Sequence, residues 1–181
     1  MQSTQAMRAI AEHSDKTYTL LYTKHTALKI GMFALERMVQ VMEMTQAGMV
    51  YADHYQQIDG VQKTAPVIDY QPGSLRDDFN FGSVLLFNAN AFKEVIENTE
   101  EEYQYAGLYD LRLKISQKSK LVHINEYLYT EVESDKRKSG EKQFDYVDPK
   151  NRQVQIEMEQ ACTNHLKEIG GYLYPIFRPV D

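Results

Sequence analysis

The chain lacks tryptophan and contains a single cysteine, Cys162, among its 181 residues. One cysteine excludes an internal disulfide and a zinc site built from several thiolates. No apolar run reaches the roughly 20 residues that a membrane-spanning helix needs. The polar segment from Met1 to Ile10 has no apolar stretch of the kind found in signal peptides. The sequence therefore predicts a cytoplasmic protein without a membrane span.

An excess of acidic residues gives the chain a formal net charge of −6. A domain of this charge has no general attraction for nucleic acid or anionic lipid, so we expect neither as a main partner. Apolar residues make up 43% of the chain and charged residues 25%, the balance of a globular protein that can bury a core. The length suits a single domain over residues 1–181. Asp148 and Pro149 are suited to begin a C-terminal helix, which with its tail occupies residues 148–181.

Apolar, β-rich segments alternate with segments of helical spacing, which predicts an α/β fold. The segment from Met32 to Thr45 has the apolar spacing of a helix and is expected to pack on a sheet. We expect this sheet to be mostly parallel with helices on both faces, because strands covered on both faces are apolar throughout. Its predicted strands are Tyr18–Tyr22, Met49–Ala52, Ser83–Phe87 and Leu121–Ile124.

Two further stretches are less regular. Leu108, Leu111 and Ile115 satisfy helical spacing, but Leu111, Leu113 and Ile115 alternate as in a strand, so the period does not decide between the two. Residues 53–78 form a long polar stretch broken by glycine and proline. A stretch of this length within one domain is usually functional.

Several segments resemble, in unbroken order, the middle and end of family 2 glycosyltransferases. They comprise a strand with its turn, a helix, a second strand, a strand with its following helix, a segment similar to the family's Asp-Tyr-Asp-Leu motif, and a last strand. The segments are residues 18–28, 34–38, 48–55, 79–92, 109–115 and 121–129. The resemblance implies the GT-A fold and transfer of a sugar from a nucleotide-sugar donor to a glycan acceptor, as in polysaccharide biosynthesis.

The same resemblance implies that a part of the family domain is missing. The opening βαβ unit, whose segments hold the nucleoside, has no counterpart in this sequence. The chain is therefore expected to be a truncated domain of a longer parent chain. The implied partners are the nucleotide-sugar, the glycan acceptor and the further domains of that parent.

The family's metal-binding Asp-x-Asp motif aligns with a turn that carries no carboxylate. Thr23 and His25 occupy the two aspartate positions, with Lys24 between them. The family is expected to use a divalent metal, but hard cations need several oxygen ligands, so we predict no metal site and no cofactor here. Lys24 and His25 remain candidate substrate-binding residues. Lys24 either replaces the metal as a fixed charge on the diphosphate or is a solvated turn residue.

The family's catalytic base is also absent from its expected position. Gly107 and Leu108 occupy the two residues of the Glu-Asp pair, whereas the second aspartate of the motif is retained as Asp110. Asp110 is the candidate catalytic residue, acting as a displaced base that takes the proton of the acceptor hydroxyl. The alternative is that its side chain caps or anchors a helix.

Other candidate substrate-binding residues lie at a strand end and in loops. Asp53 follows a strand, where α/β proteins place functional groups, although turn chemistry explains it equally well. Asp78 belongs to an acidic pair in a loop and is otherwise a solvated residue. Lys136 and Arg137 belong to a basic run where the family often closes a loop over the donor, and they too can be solvated. His123, on an apolar strand, is expected to be a satisfied core or edge histidine.

These observations leave two classes of function open. The first is a family 2 glycosyltransferase-like domain that takes part in sugar transfer in the parent protein. The second is a non-catalytic module that retains the fold and binds a sugar, a nucleotide or a protein. The altered metal and base positions favour the second class for the chain in isolation, whereas the resemblance favours the first.

Overall fold

The computed structural model of the chain describes residues 2–133 and 152–176. The predicted helix start at Asp148 and Pro149, and the candidate residues Lys136 and Arg137, lie outside the described residues. The elements, in chain order, are α1 (Thr4–His13), β1 (Tyr18–Tyr22), β2 (Ala27–Ile30), α2 (Ala34–Thr45), β3 (Met49–Ile58), β4 (Val61–Ala65), β5 (Val84–Asn88), α3 (Ala89–Glu97), α4 (Gly107–Lys118), β6 (Leu121–Glu133) and α5 (Arg152–Glu168).

The strands form one mixed sheet in the order β1-β5-β3-β6-β2, with β4 also pairing with β3. All predicted strands belong to this sheet, but the prediction that it is mostly parallel is wrong. Of its pairs, β3 with β6 is parallel, whereas β1 with β5, β2 with β6, β3 with β4 and β3 with β5 are antiparallel. A strand that is apolar throughout indicates that both of its faces are buried. The same apolar pattern is found whether the strand runs parallel or antiparallel to its neighbours, so it does not predict strand direction.

Helices cover both faces of the sheet and bury its apolar side chains. On one face, α1, α3 and α4 enclose Tyr51 and Phe87 from the strands. On the other face, α2 packs Met38 and Met42 against Val50. Fully burying a methionine side chain contributes about 1.5–3 kcal/mol, so this contact fixes α2 on the sheet as its apolar spacing predicts.

The segment whose period was ambiguous is helix α4. It is buried around most of its circumference, including the polar side chains of Asp110 and Arg112. One side faces the sheet core, and the other packs on α5 through Leu113 and Ala161. A helix buried on several sides has no polar stripe, which explains why hydrophobic spacing did not identify it.

Strand β3 continues well beyond the predicted Met49–Ala52 and positions the polar residues of the sheet. Its outer half forms a hairpin with β4 through Asp59 and Gly60, both with positive φ, so part of the predicted polar loop is strand. The register with β6 shifts on both sides of Asp53. Such bulges bend a strand and re-aim its side chains, and they are common beside functional sites.

Candidate functional site

Polar side chains gather where β1 ends, β5 begins and β3 is bulged. Thr23, just after β1, donates its N–H to the carbonyl of Ser83, just before β5, at 2.9 Å. Asp53 and His54 follow each other at the bulge of β3 and lie on opposite faces of the sheet. Of these three strands, β1 presents its carboxyl end here, β5 begins here, and β3 continues beyond the bulge to Ile58. Two clusters arise there, one on each face.

The first, the Glu131 cluster, consists of Lys24, His54, Tyr129 and Glu131. The Glu131 side chain is 1% exposed, and its carboxylate lies 2.5 Å from Lys24 Nζ and 3.4 Å from His54 Nε2. The His54 ring stacks on Tyr129 with centroids 5.0 Å apart. Removing one partner of a buried ion pair costs about 3–5 kcal/mol, so the buried carboxylate of Glu131 depends on Lys24 to compensate its charge.

His54 keeps one ring nitrogen without a partner. Burial lowers the pKa of the His54 imidazole against the attraction of Glu131, so the ring is neutral at pH 7. Within the described part of the chain, His54 Nδ1 and Ser83 Oγ are buried without a hydrogen-bond partner. Gly82 lies against the His54 ring, since a Cβ at this position would lie 3.4 Å from His54 Nδ1 and would overlap the hydroxyl of Tyr129. Only a residue without a side chain fits there.

The second, the Asp53 cluster, consists of Tyr51, Asp53, Asp69 and His123. His123 Nε2 lies 2.9 Å from Asp53 Oδ1, and His123 Nδ1 lies 2.7 Å from Asp69 Oδ1. The Asp53 carboxylate also accepts the N–H of Val67 at 2.8 Å. The Tyr51 ring stacks on the imidazole with centroids 5.2 Å apart, and burial raises the pKa of the Tyr51 phenol. An imidazole therefore bridges a carboxylate of the sheet and a carboxylate of a loop.

Asp110, the predicted base, lies in neither cluster. Its carboxylate is buried and accepts a charge-assisted contact from Lys114 at 2.9 Å, while the same ammonium contacts Glu101 at 2.9 Å. Burial raises the pKa of the Asp110 carboxyl, against the lowering effect of Lys114. Asp110 makes no cap on its helix, which begins after Ala106 without a side-chain cap. Its contacts are those of a residue that anchors α4, and its role as a base stays a prediction.

The remaining predicted site residues lie apart from the clusters. His25 is exposed at the turn after β1. Asp78 forms an exposed pair with Arg76 at 2.8 Å, and the hydrogen bond from this arginine lowers the pKa of the Asp78 carboxyl. Lys136 and Arg137 are among the residues that the structure leaves undescribed. The structure thus brings Lys24 to the Glu131 cluster and Asp53 to the other face of β3.

Sequence reasoning missed His54 and Glu131, and it assigned His123 no role beyond a satisfied histidine. Glu131 lies two residues beyond the buried Tyr129, so extending the last strand past its apolar part would have placed a charge on the same face as this tyrosine. His54 follows Asp53 directly. It belongs to a strand because β3 continues to Ile58, whereas the predicted strand ended at Ala52 and left His54 in the following loop.

The donors at the turn after β1 do not fit a divalent cation. Thr23 supplies a neutral hydroxyl, His25 an exposed imidazole, and Lys24 brings an ammonium group into the site. Residues 2–133 and 152–176 contain no group of three His, Cys, Asp or Glu side chains that could hold a metal ion. In the same residues, no helix has the length and apolar character needed to cross a bilayer. No protein-family model matches the chain, and no curated protein matches it.

Proposed function

We propose that the chain is a family 2 glycosyltransferase-like domain that takes part in sugar transfer from a nucleotide-sugar to a glycan acceptor in its parent protein. The observation that carries this proposal is the position of Lys24. The turn that resembles the family's Asp-x-Asp motif presents a lysine fixed on a buried carboxylate. It lies at the carboxyl end of β1, a position where α/β proteins often carry functional groups.

The chemistry of the leaving group gives Lys24 its proposed role. Sugar transfer leaves a negative diphosphate, which a fixed positive charge stabilises as the bond to the sugar breaks. The Lys24 side chain is 34% exposed, so a phosphate oxygen can approach its ammonium group. Glu131 holds the lysine in place, and neutral His54 adds no second charge. In this proposal a lysine supplies the charge that a metal supplies elsewhere in the family.

The test is binding of uridine and guanosine diphosphate sugars, followed by calorimetry and by the shift in melting temperature. We expect binding that survives chelation of divalent metals and that is lost in the double variant Lys24→Met/Glu131→Gln. The double variant removes both charges, so no uncompensated carboxylate remains buried. The matched control is Lys29→Met, since Lys29 is an exposed lysine whose ammonium group donates to the neutral side chain of Gln57. Equal binding by the double variant and the wild type, or no binding by the wild type at millimolar ligand, would refute the role of Lys24.

The second candidate is a non-catalytic module that binds a sugar, a nucleotide or a protein. The observation that favours it is the state of the base position, where Leu108 replaces a carboxylate and Asp110 is buried against Lys114. General acid–base catalysis contributes about 10²- to 10⁴-fold in rate, so a chain without a base is expected to bind without turnover. Release of free nucleoside diphosphate separates the candidates: the isolated chain is expected to release none above background. Turnover that disappears in Asp110→Asn at unchanged melting temperature would instead support catalysis.

A further inference from the structure

The connection between β4 and β5, residues 66–83 and here called the β4–β5 loop, is fastened to the sheet by side chains. Tyr51 donates its hydroxyl to the carbonyl of Ile68 at 2.8 Å and accepts the N–H of Tyr70 at 2.7 Å. Further along, Arg112 donates to the carbonyl of Arg76 at 2.9 Å. The start of the loop is held by the Asp53 cluster, through Val67 and Asp69.

The contacts of His123 fix the number of hydrogens in this cluster. Both ring nitrogens lie at hydrogen-bond distance from a carboxylate oxygen, 2.9 Å for Asp53 and 2.7 Å for Asp69. Ionised carboxylates only accept, and a neutral imidazole carries one N–H for its two nitrogens. Both contacts are hydrogen bonds only if the trio holds one proton more than a neutral histidine with two carboxylates. Without that proton, a ring lone pair faces a carboxylate oxygen.

We propose that Asp53, His123 and Asp69 form a proton-controlled latch that holds the start of the β4–β5 loop on the sheet. With the additional proton, the imidazole donates to both carboxylates and the latch is closed. When that proton is lost, one contact becomes repulsive and one carboxylate moves away. Among residues 2–133 and 152–176, the titratable groups that face the imidazole are Asp53 and Tyr51 from β3 and Asp69 from the loop.

The surroundings decide which contact opens. The Asp53 side chain is buried and accepts the N–H of Val67, so leaving the ring would cost it this hydrogen bond without access to water. The Asp69 side chain is 86% exposed, so water can solvate its carboxylate as soon as it leaves the ring. The latch therefore opens at Asp69 as pH rises. This inference does not depend on the proposed function.

Hydrogen exchange of the wild-type chain from about pH 5 to about pH 9, a range that brackets the ordinary titration of histidine, tests the latch. Exchange is corrected for its intrinsic pH dependence with the peptide that spans the Asp59–Gly60 turn. We expect amides of residues 67–71 to lose about three- to tenfold in protection as pH rises, the effect of one exposed charged hydrogen bond. Nitrogen-15 shifts of His123 are expected to report hydrogen on both ring nitrogens in the closed state.

The variant Asp69→Asn separates the latch from a merely structural contact. An asparagine amide donates to a bare ring nitrogen, so the neutral imidazole keeps both contacts and the pH dependence disappears. The control is Asp15→Asn, which changes another exposed aspartate, one paired with Lys16, and is expected to keep the wild-type profile. Protection of residues 67–71 that is independent of pH in the wild type, or equally pH-dependent in Asp69→Asn, overturns the proposal.

Discussion

Gly82 is the position where a single methyl group tests the geometry of the Glu131 cluster. It has a φ of +73° at the end of the β4–β5 loop. A Cβ there would overlap the hydroxyl of Tyr129 and lie 3.4 Å from His54 Nδ1. The tyrosine cannot withdraw easily, because its side chain is buried and its hydroxyl accepts the N–H of Ser83 at 2.9 Å. Gly82→Ala is therefore expected to destabilise the chain through its backbone and through its side chain.

The two contributions can be estimated and separated. A left-handed backbone conformation costs an alanine about 1–2 kcal/mol, and forcing a group into a packed site adds about 1–3 kcal/mol. We expect Gly82→Ala to lower the free energy of unfolding by about 2–5 kcal/mol, the sum of these ranges. Gly73→Ala is the matched control, since Gly73 has a φ of +88° and no heavy atom within 4 Å of its Cβ position. It is expected to show the backbone contribution alone.

Urea denaturation measures both variants, with the midpoint compared at constant slope. A second comparison is made in a Tyr129→Phe background, where the overlapping hydroxyl is absent. There the cost of Gly82→Ala is expected to fall toward that of Gly73→Ala. If Gly82→Ala and Gly73→Ala lower the free energy of unfolding equally in the wild type, the close approach of Gly82 to Tyr129 is wrong. The position of Gly82 against His54 would then be wrong as well.

Three further predictions concern charged groups. Asp110→Asn is expected to lower the free energy of unfolding by about 1–2 kcal/mol, because it weakens a charged hydrogen bond, and to leave nucleotide-sugar affinity unchanged by calorimetry. Burial lowers the pKa of His54 and His165, so on acidification the unfolded chain takes up protons before the folded chain, and the contribution of these two histidines to stability is full above about pH 6.5 and declines as pH falls below it. Urea denaturation below about pH 6.5 should show a shallower decline in His54→Gln than in the wild type, and an unchanged decline would contradict the assignment. Lys24→Met is expected to destabilise the chain more than Glu131→Gln, because Lys24→Met leaves the buried Glu131 carboxylate without this lysine, whereas Glu131→Gln leaves a lysine that water can reach. Melting temperatures in the opposite order would disprove this.

The elements of the fold were largely accessible from the sequence, but their directions and lengths were not. The apolar run Ser83–Phe87 and the helix ending at Thr45 stood out because each buries a continuous surface. The antiparallel direction of β5 depends on how the long β4–β5 loop returns along the sheet, which no local pattern records. Strands β2 and β4 are short and mostly exposed, and an exposed edge strand lacks the alternation that identifies a half-buried one.

From the sequence alone, a site residue could be identified only where the short segment around it indicated a role. Asp53 was found because it follows a predicted strand, and Lys24 because it lies in the turn that resembles the family's Asp-x-Asp motif. The partners that give them a role, Glu131 for the lysine and His123 for the aspartate, lie far along the chain. Their approach is produced by the pairing of β6 with β3 and β2, and pairing partners of strands are not encoded in local spacing.

The β4–β5 loop connects the two clusters, which is a reason to regard them as parts of one site. Its start is held by the carboxylate of Asp53, and Gly82 at its end lies against the imidazole of His54. Each cluster buries a carboxylate, although apolar residues of similar volume are often neutral or more stable by about 1–4 kcal/mol. Stability alone therefore does not account for either cluster. The start of this loop is held by the proposed latch on one face of β3, and its end contacts His54 beside the proposed diphosphate-binding Lys24 on the other face, so one connection of the chain contributes to both clusters.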